Sequence, residues 1–278
     1  MRPPAPGALR TPQNRHRCSD ALRAPSVIPW LSEQGTEFPP TAQALAADTP
    51  APGLLAAGGD LSVPRLRAAY RRGIFPWYSE GEPILWWSPA PRMVLPVAEF
   101  KLTPSLKKTL RRFAATPGCE VRVDSAFTDV IAACAAAPRR GQHGTWINAE
   151  IIAAYTGWHG QGEVHSFETW VDGCLAGGLY GIGLGRMFYG ESMFARRTDA
   201  SKIALAALVC FCREHGIDWV DCQQETAHLA SMGARPVPRE QFEAHLRGRV
   251  DARPVGDWTY HSAHWRHLLP ALPEASSA

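Results

Sequence analysis

The stretch Gly177 to Lys202, GGLYGIGLGRMFYGESMFARRTDASK, restricts the fold more than any other part of the chain. Alternation from His165 to Val171 reads as a strand, Asp172-Gly173 is a two-residue turn signal, and Leu175 to Leu184 reads as the returning strand. Gly185 turns the chain again into Met187-Phe188-Tyr189, so three antiparallel strands arrive in succession. The middle strand is dense in glycine, which marks a close approach of something to the backbone. Asp199 or Ser201 can cap the helix that follows, with Ile203, Leu205, Leu208, Val209 and Phe211 on a broad apolar face and Gly216 as its stop. Ile217 to Gln223 then reads as a strand whose alternation puts Asp221 and Gln223 on one face and Cys222 on the other. Ligands of open α/β sheets gather beyond the carboxyl ends of strands, so this acid and amide form the first candidate site.

Upstream, Ser62 can cap a helix running through Leu66 and Tyr70 to Gly73. An aromatic loop follows, in which Phe75, Trp77, Tyr78, Trp86 and Trp87 alternate with prolines at a spacing that suits neither helix nor sheet. Trp86 and Trp87 can equally be core, whereas Trp77 is the better functional candidate. Thr103-Pro104 opens a helix with Leu106, Leu110 and Phe113 inward. Its other face carries Lys107, Lys108, Arg111 and Arg112, either a solvated face or a stripe that tracks phosphates. Asp124 or Ser125 caps a helix with Phe127, Val130, Ile131 and Cys134 inward, and Asn148 caps another with Ile151, Ile152, Tyr155 and Trp158. Between them, Gly141 to Ile147 presents Trp146, a lid anchor or a stacking platform for a base.

Composition sets broad limits. A chain of 278 residues that is 45% hydrophobic can bury one good core and a small second one. A net charge of +3 is too mild to prove a nucleic-acid partner, so that case rests on where the basic residues cluster. Seven cysteines include no CxxC pair, which suits reduced thiols. No run of about 18 apolar residues is present and the start lacks the apolar core of a secretory signal, so we expect a cytoplasmic protein with no membrane partner. Residues 1–25 read as a disordered extension, 26–92 as a small N-terminal domain, 93–268 as a larger catalytic domain and 269–278 as a loose tail. In the absence of an exposed heptad or repeat, a monomer is expected.

GTWI (Gly144 to Ile147), HSFETW, GGLYG, FYGESMF, ASK and DCQ, with GIFPWYSEGEPILWWSPAPR (Gly73 to Arg92), together resemble the leucyl/phenylalanyl-tRNA protein transferase family over roughly Gly53 to Phe242. The resemblance implies an α+β fold whose larger domain is of the acetyltransferase (GNAT-like) type. It implies transfer of leucine, phenylalanine or, less well, methionine from aminoacyl-tRNA to proteins beginning with arginine or lysine, marking them for N-end rule degradation. It assigns catalysis to Asp221, Gln223 and Glu191. It assigns the aminoacyl side-chain pocket to Leu179, Phe188, Leu205, Leu208 and Val220, stacking of the 3′-adenosine to Trp77, Trp146, Phe75 and Tyr70, and tRNA backbone contact to Lys107, Lys108, Arg111 and Arg112.

The chemistry needs no cofactor and no metal, because an aminoacyl ester is already activated and requires only a placed amine and a polar cradle for the oxyanion. Gln223 can hold the attacking amine while Asp221 orients Gln223, and Glu191 can pair with the acceptor's cation. Cys222 as a nucleophile is disfavoured by the alternation that points it away. The main rival is an acetyl-CoA-dependent N-acetyltransferase. Against it, the turn SMFARRTDASK lacks the glycines that cradle a pyrophosphate. A non-catalytic RNA-binding protein would leave the DCQ sequence without a purpose.

Overall fold

Asp172 and Gly173 have φ of 52° and 71°, the left-handed pair that a tight hairpin turn requires. In a computed structural model describing residues 28–137 and 145–270, they join the first two strands of the expected meander. The readings of 1–25, of Gly141 to Gly144 and of all but the first two residues of 269–278 lie outside the described residues. In chain order the elements are β1 (Trp30–Leu31), β2 (Leu54–Gly58), α1 (Val63–Tyr70), β3 (Phe75–Pro76), β4 (Leu85–Trp87), β5 (Arg92–Pro96) and α2 (Pro104–Ala115). There follow β6 (Cys119–Val123), α3 (Phe127–Ala136), α4 (Ala149–His159), β7 (Val164–Val171), β8 (Cys174–Leu184) and β9 (Met187–Ala195). The chain continues through α5 (Ala200–His215), β10 (Trp219–Gln223), α6 (Ala227–Ser231), β11 (Arg235–Val237) and α7 (Arg239–Arg249).

The strands make two sheets, one in the order β1-β2-β4-β3 and a seven-stranded one in the order β11-β5-β10-β9-β8-β7-β6. The fold is mixed α/β. Neighbours on β8 divide the core: Leu179 joins the apolar cluster that includes Leu205, Leu208 and Phe211 of α5, while Tyr180 joins the cluster of Val130, Ile131 and Tyr155 from α3 and α4. The β8 glycines explain themselves by close packing within the chain. A Cβ on Gly177 would lie 2.6 Å from that of Ala200, and one on Gly183 would overlap the Trp258 ring. Trp86 and Trp87 are core, and both indole N–H groups donate to carbonyls, those of Gly58 and Trp77.

Thr103 and Asn148 cap α2 and α4, accepting from the N–H groups of Leu106 and Ile151 at 3.2 and 2.9 Å. The other expected caps are corrected. Ser62 and Asp199 stand at helix N-termini without capping, and the Asp199 carboxylate instead takes Lys202. Neither Asp124 nor Ser125 caps α3. α3 has no side-chain cap; the carboxylate of Glu168, fully buried on β7, accepts from the Ala126 N–H at 2.8 Å and also from Ser125, so the entry to the helix is held by a strand 42 residues away. Among the described residues, no helix is long and apolar enough to cross a membrane.

Candidate active site

Two β-bulges build the site. Along β8 and β9 the pairing jumps from Tyr180–Ser192 to Gly181–Gly190, leaving Glu191 as an extra residue. Along β5 and β10 it jumps from Val94–Asp221 to Met93–Gln223, leaving Cys222 as the extra one. A bulge re-aims the side chains beyond it. The alternation expected for Asp221, Cys222 and Gln223 therefore fails: Cys222 and Gln223 both line a cavity of about 940 Å³, and Asp221 does not.

Asp221 is fully buried, and its partner is Arg92 of β5, which donates from Nε to Oδ1 at 2.8 Å and from Nη2 to Oδ2 at 2.7 Å. The guanidinium lies between the rings of Phe75 and Phe242, 4.8 Å from each centroid. Asp221 Oδ1 also accepts the backbone N–H of Gln223 at 2.9 Å, holding that residue at a φ of 61°. Asp221 thus contacts Gln223 through the backbone and is absent from the cavity lining.

Glu191 and Gln223 meet directly. Gln223 Nε2 donates to Glu191 Oε1 at 2.6 Å, and the Tyr70 hydroxyl donates to the same oxygen at 2.8 Å. Tyr155 supports Tyr70 from behind, with the two hydroxyls 2.5 Å apart. Glu191 Oε2 is enclosed and has no hydrogen-bond partner among the described residues. Burial, with the Asp221 charge adding to it, raises the Glu191 carboxyl to about 8, against the opposing hydrogen bonds from Tyr70 and Gln223. Burial also pushes the Tyr70 and Tyr155 hydroxyls well above their ordinary range, so both remain protonated donors. The Cys222 thiol is likewise raised by burial, which keeps it from being a thiolate nucleophile.

Of the five residues assigned to the side-chain pocket, Leu179, Leu205, Leu208 and Val220 line the cavity, joined by Met193. Phe188 does not. It is fully buried in the same apolar cluster as those four, where it packs edge-on to Phe167 with its ring centroid 6.1 Å from that of Trp258. Among the stacking candidates, Trp77, Trp146 and Phe75 line the cavity. Tyr70 is corrected: its ring is fully enclosed by Trp158 and Tyr189, and its hydroxyl is occupied by Glu191. Lys107, Lys108, Arg111 and Arg112 lie along α2 away from the cavity lining. Three of them are exposed, Lys107 is half-buried, and none makes an ion pair among the described residues. Sequence reasoning missed Arg92. Its one signal was an arginine opening the apolar run RMVLP, where a charge needs a buried partner.

The mixed sheet thus carries one cavity in which an apolar pocket adjoins a carboxyl and an amide, with two tryptophans in its lining. The chain belongs to the leucyl/phenylalanyl-tRNA protein transferase family: a family model of that description matches residues 94–247, and a model of its N-terminal domain matches 59–90. The chain is 66% identical to a leucyl/phenylalanyl-tRNA–protein transferase of Leptothrix cholodnii over 87% of this chain and 95% of that one. It is 63% identical to one of Methylibium petroleiphilum over 90% and 94%. The crystal structure of FemX is similar at a TM-score of 0.39, with 11% identity over 63% of this chain and 66% of that one, which leaves the fold type open. The acetyl-CoA-dependent rival finds no support in these matches.

Proposed function

We propose that the cavity takes the 3′ end of leucyl-, phenylalanyl- or methionyl-tRNA and passes its aminoacyl group to a protein beginning with arginine or lysine, marking it for N-end rule degradation. The observation that carries the reading is the junction of the apolar pocket with the Glu191–Gln223 pair in one cavity. Because Gln223 spends its Nε2 on Glu191, its amide oxygen is left to accept from the incoming amine. The amine nitrogen attacks the ester carbonyl carbon, the C–N bond forms, and the bond to the ribose oxygen breaks. One proton leaves the nitrogen and one is taken up by the ribose oxygen. An α-amine with a reference pKa of about 7.7–8.0 has a neutral fraction ready near pH 7, so no strong base is needed. Glu191, through its unpartnered Oε2, faces the acceptor's cation, while Trp77, Trp146 and Phe75 stack on the terminal adenosine and the α2 stripe holds phosphates.

In the same reading, 26–92 is a small domain and 93–268 is a catalytic domain of the acetyltransferase type, supported by the antiparallel β7-β8-β9 meander followed by α5 and the parallel strand β10. The enzyme works as a monomer in the cytoplasm. Incubating the purified protein with labelled leucyl-tRNA and an Arg-initiated peptide should place label on the peptide, and an Asp-initiated peptide should receive none. Equal labelling of both peptides, or of neither, would sink the reading.

A further inference from the structure

Arg92 is fully buried and joins the two sheets. It belongs to β5 of the seven-stranded sheet, yet its guanidinium lies over the ring of Phe75 on β3 of the four-stranded sheet, and over that of Phe242 on α7. Its Nη1 is enclosed with no hydrogen-bond partner among the described residues, so packing against the rings locates that edge of the group. Nε and Nη2 are committed to Asp221, and such a fork fixes the plane of the carboxylate as well as its place. Asp221 Oδ1 in turn holds the N–H of Gln223, a non-glycine residue whose left-handed backbone needs support from its surroundings. Phe75 and Gln223 both line the cavity. A line of direct contacts therefore runs from one lining residue to the other through Arg92 and Asp221, neither of which is in the lining.

Building on the reading that Phe75 stacks on the terminal adenosine, we propose that Arg92 is a positioning residue that couples the two halves of the site. Adenosine seated on Phe75 favours the left-handed placement of Gln223, so the amide that receives the amine is set when the nucleotide is in place. The basis is a lack of slack. Phe75 cannot tilt without displacing the guanidinium, and hydrogen bonds to Asp221 weaken steeply as their angles open. Once released, Gln223 relaxes out of the left-handed region and loses its bond to Glu191. The two states are Gln223 held and Gln223 released, and linkage makes the effect mutual, so loosening Gln223 also weakens adenosine binding. Lysine at this position keeps the charge but has neither a fork for the carboxylate nor a plane to lie against the rings.

The test follows hydrogen exchange at the Gln223 amide by NMR of protein carrying isotope-labelled glutamine, with and without saturating adenosine. In the wild type adenosine should slow that exchange by about 5-fold or more, and in Arg92→Lys by less than about 2-fold. In the same variant kcat for leucine transfer should fall further than KM for leucyl-tRNA rises. Phe242→Leu is the control: it takes an equally close ring from Arg92 but no part of the cavity lining, so it should lower Tm and keep the adenosine effect. If Arg92→Lys does not fold, Phe75→Leu takes its place, because it spares the ion pair and should lose the slowing at saturating adenosine. No slowing in the wild type with adenosine bound, an undiminished effect in Arg92→Lys or Phe75→Leu, or its loss in Phe242→Leu as well, overturns the coupling and leaves Arg92 a structural counter-ion. Failure of adenosine to bind the wild type, read by tryptophan fluorescence, overturns the stacking reading on which the coupling rests.

Discussion

Gln223 reaches Glu191 across a gap that opens where two parallel strands part, its Nε2 2.6 Å from the carboxylate Oε1. Each residue is placed by a bulge in its own strand: Glu191 is the extra residue of one, and Gln223 follows the extra Cys222 of the other. The pair is therefore sensitive to whatever holds the two backbones.

Asp221 is the clearest such support. Changing Asp221 to Asn leaves Arg92 charged and buried without its partner, at a cost of about 3–5 kcal/mol, and weakens the tether on the Gln223 N–H. Denaturant unfolding should show that loss, and kcat should fall further than aminoacyl-tRNA binding. Replacing both members, Asp221→Leu with Arg92→Met, should recover most of the stability and little of the turnover. Recovery of both would mean that Asp221 is only a structural counter-ion.

Glu191 should report on pH in two ways. Its folded-state pKa of about 8 lies above the ordinary 4.5, so the native state holds the proton more tightly than the unfolded chain. Wild-type stability should consequently decline relative to Glu191→Gln as pH rises from about 4.5 to about 8. Thermal melts of both proteins across that range provide the measurement, and parallel curves would exclude the shift. Acceptor affinity should move the other way. A cationic first residue prefers the carboxylate, so acceptor KM should fall as pH approaches 8, and part of that dependence should vanish in Glu191→Gln.

Selectivity should reside in Leu179, Leu205, Leu208 and Val220, and isoleucine, branched next to the reacting ester, should transfer about 10–200-fold less well than leucine. Leu205→Trp should fill the pocket and penalise phenylalanine more than leucine. Phe188→Ala should instead lower stability by about 3–5 kcal/mol as a core cavity, with the leucine-to-isoleucine ratio unchanged. Competition between leucyl- and isoleucyl-tRNA for one peptide checks each variant.

Trp77→Ala and Trp146→Ala should each raise the KM for aminoacyl-tRNA by the equivalent of about 1–3 kcal/mol, and Trp77→Phe should lose less. Tyr70→Phe should leave that KM alone and lower kcat, since Tyr70 touches Glu191 and not the cavity. A change in aminoacyl-tRNA binding by Tyr70→Phe would restore it to the stacking set.

Substituting two of Lys107, Lys108, Arg111 and Arg112 by Ala should weaken tRNA binding alike for different leucine-carrying tRNAs and flatten its salt dependence. An unchanged salt slope would return the stripe to solvent.

The meander is legible in the sequence alone, because the turn pair Asp172-Gly173, the glycine at 185 and period-two alternation are local signals that tertiary contacts had only to accept. The capped helices α2 and α4 and the apolar face of α5 are legible in the same way. The sequence also brought Glu191, Gln223 and most of the pocket into view, through rare residue words rather than through geometry. Which face each side chain takes once a strand is irregular depends on contacts distant in the chain. A single extra residue at Cys222 moves Asp221 into the core and Gln223 into the cavity, and no periodicity can announce it, since the bulge depends on how β5 pairs with β10. The same holds for Arg92 against Asp221, 129 residues apart, and for Tyr70 against Glu191, 121 apart. Burial of a charge or a hydroxyl depends on partners brought in from elsewhere in the chain, and those partners exist only once the two sheets are formed.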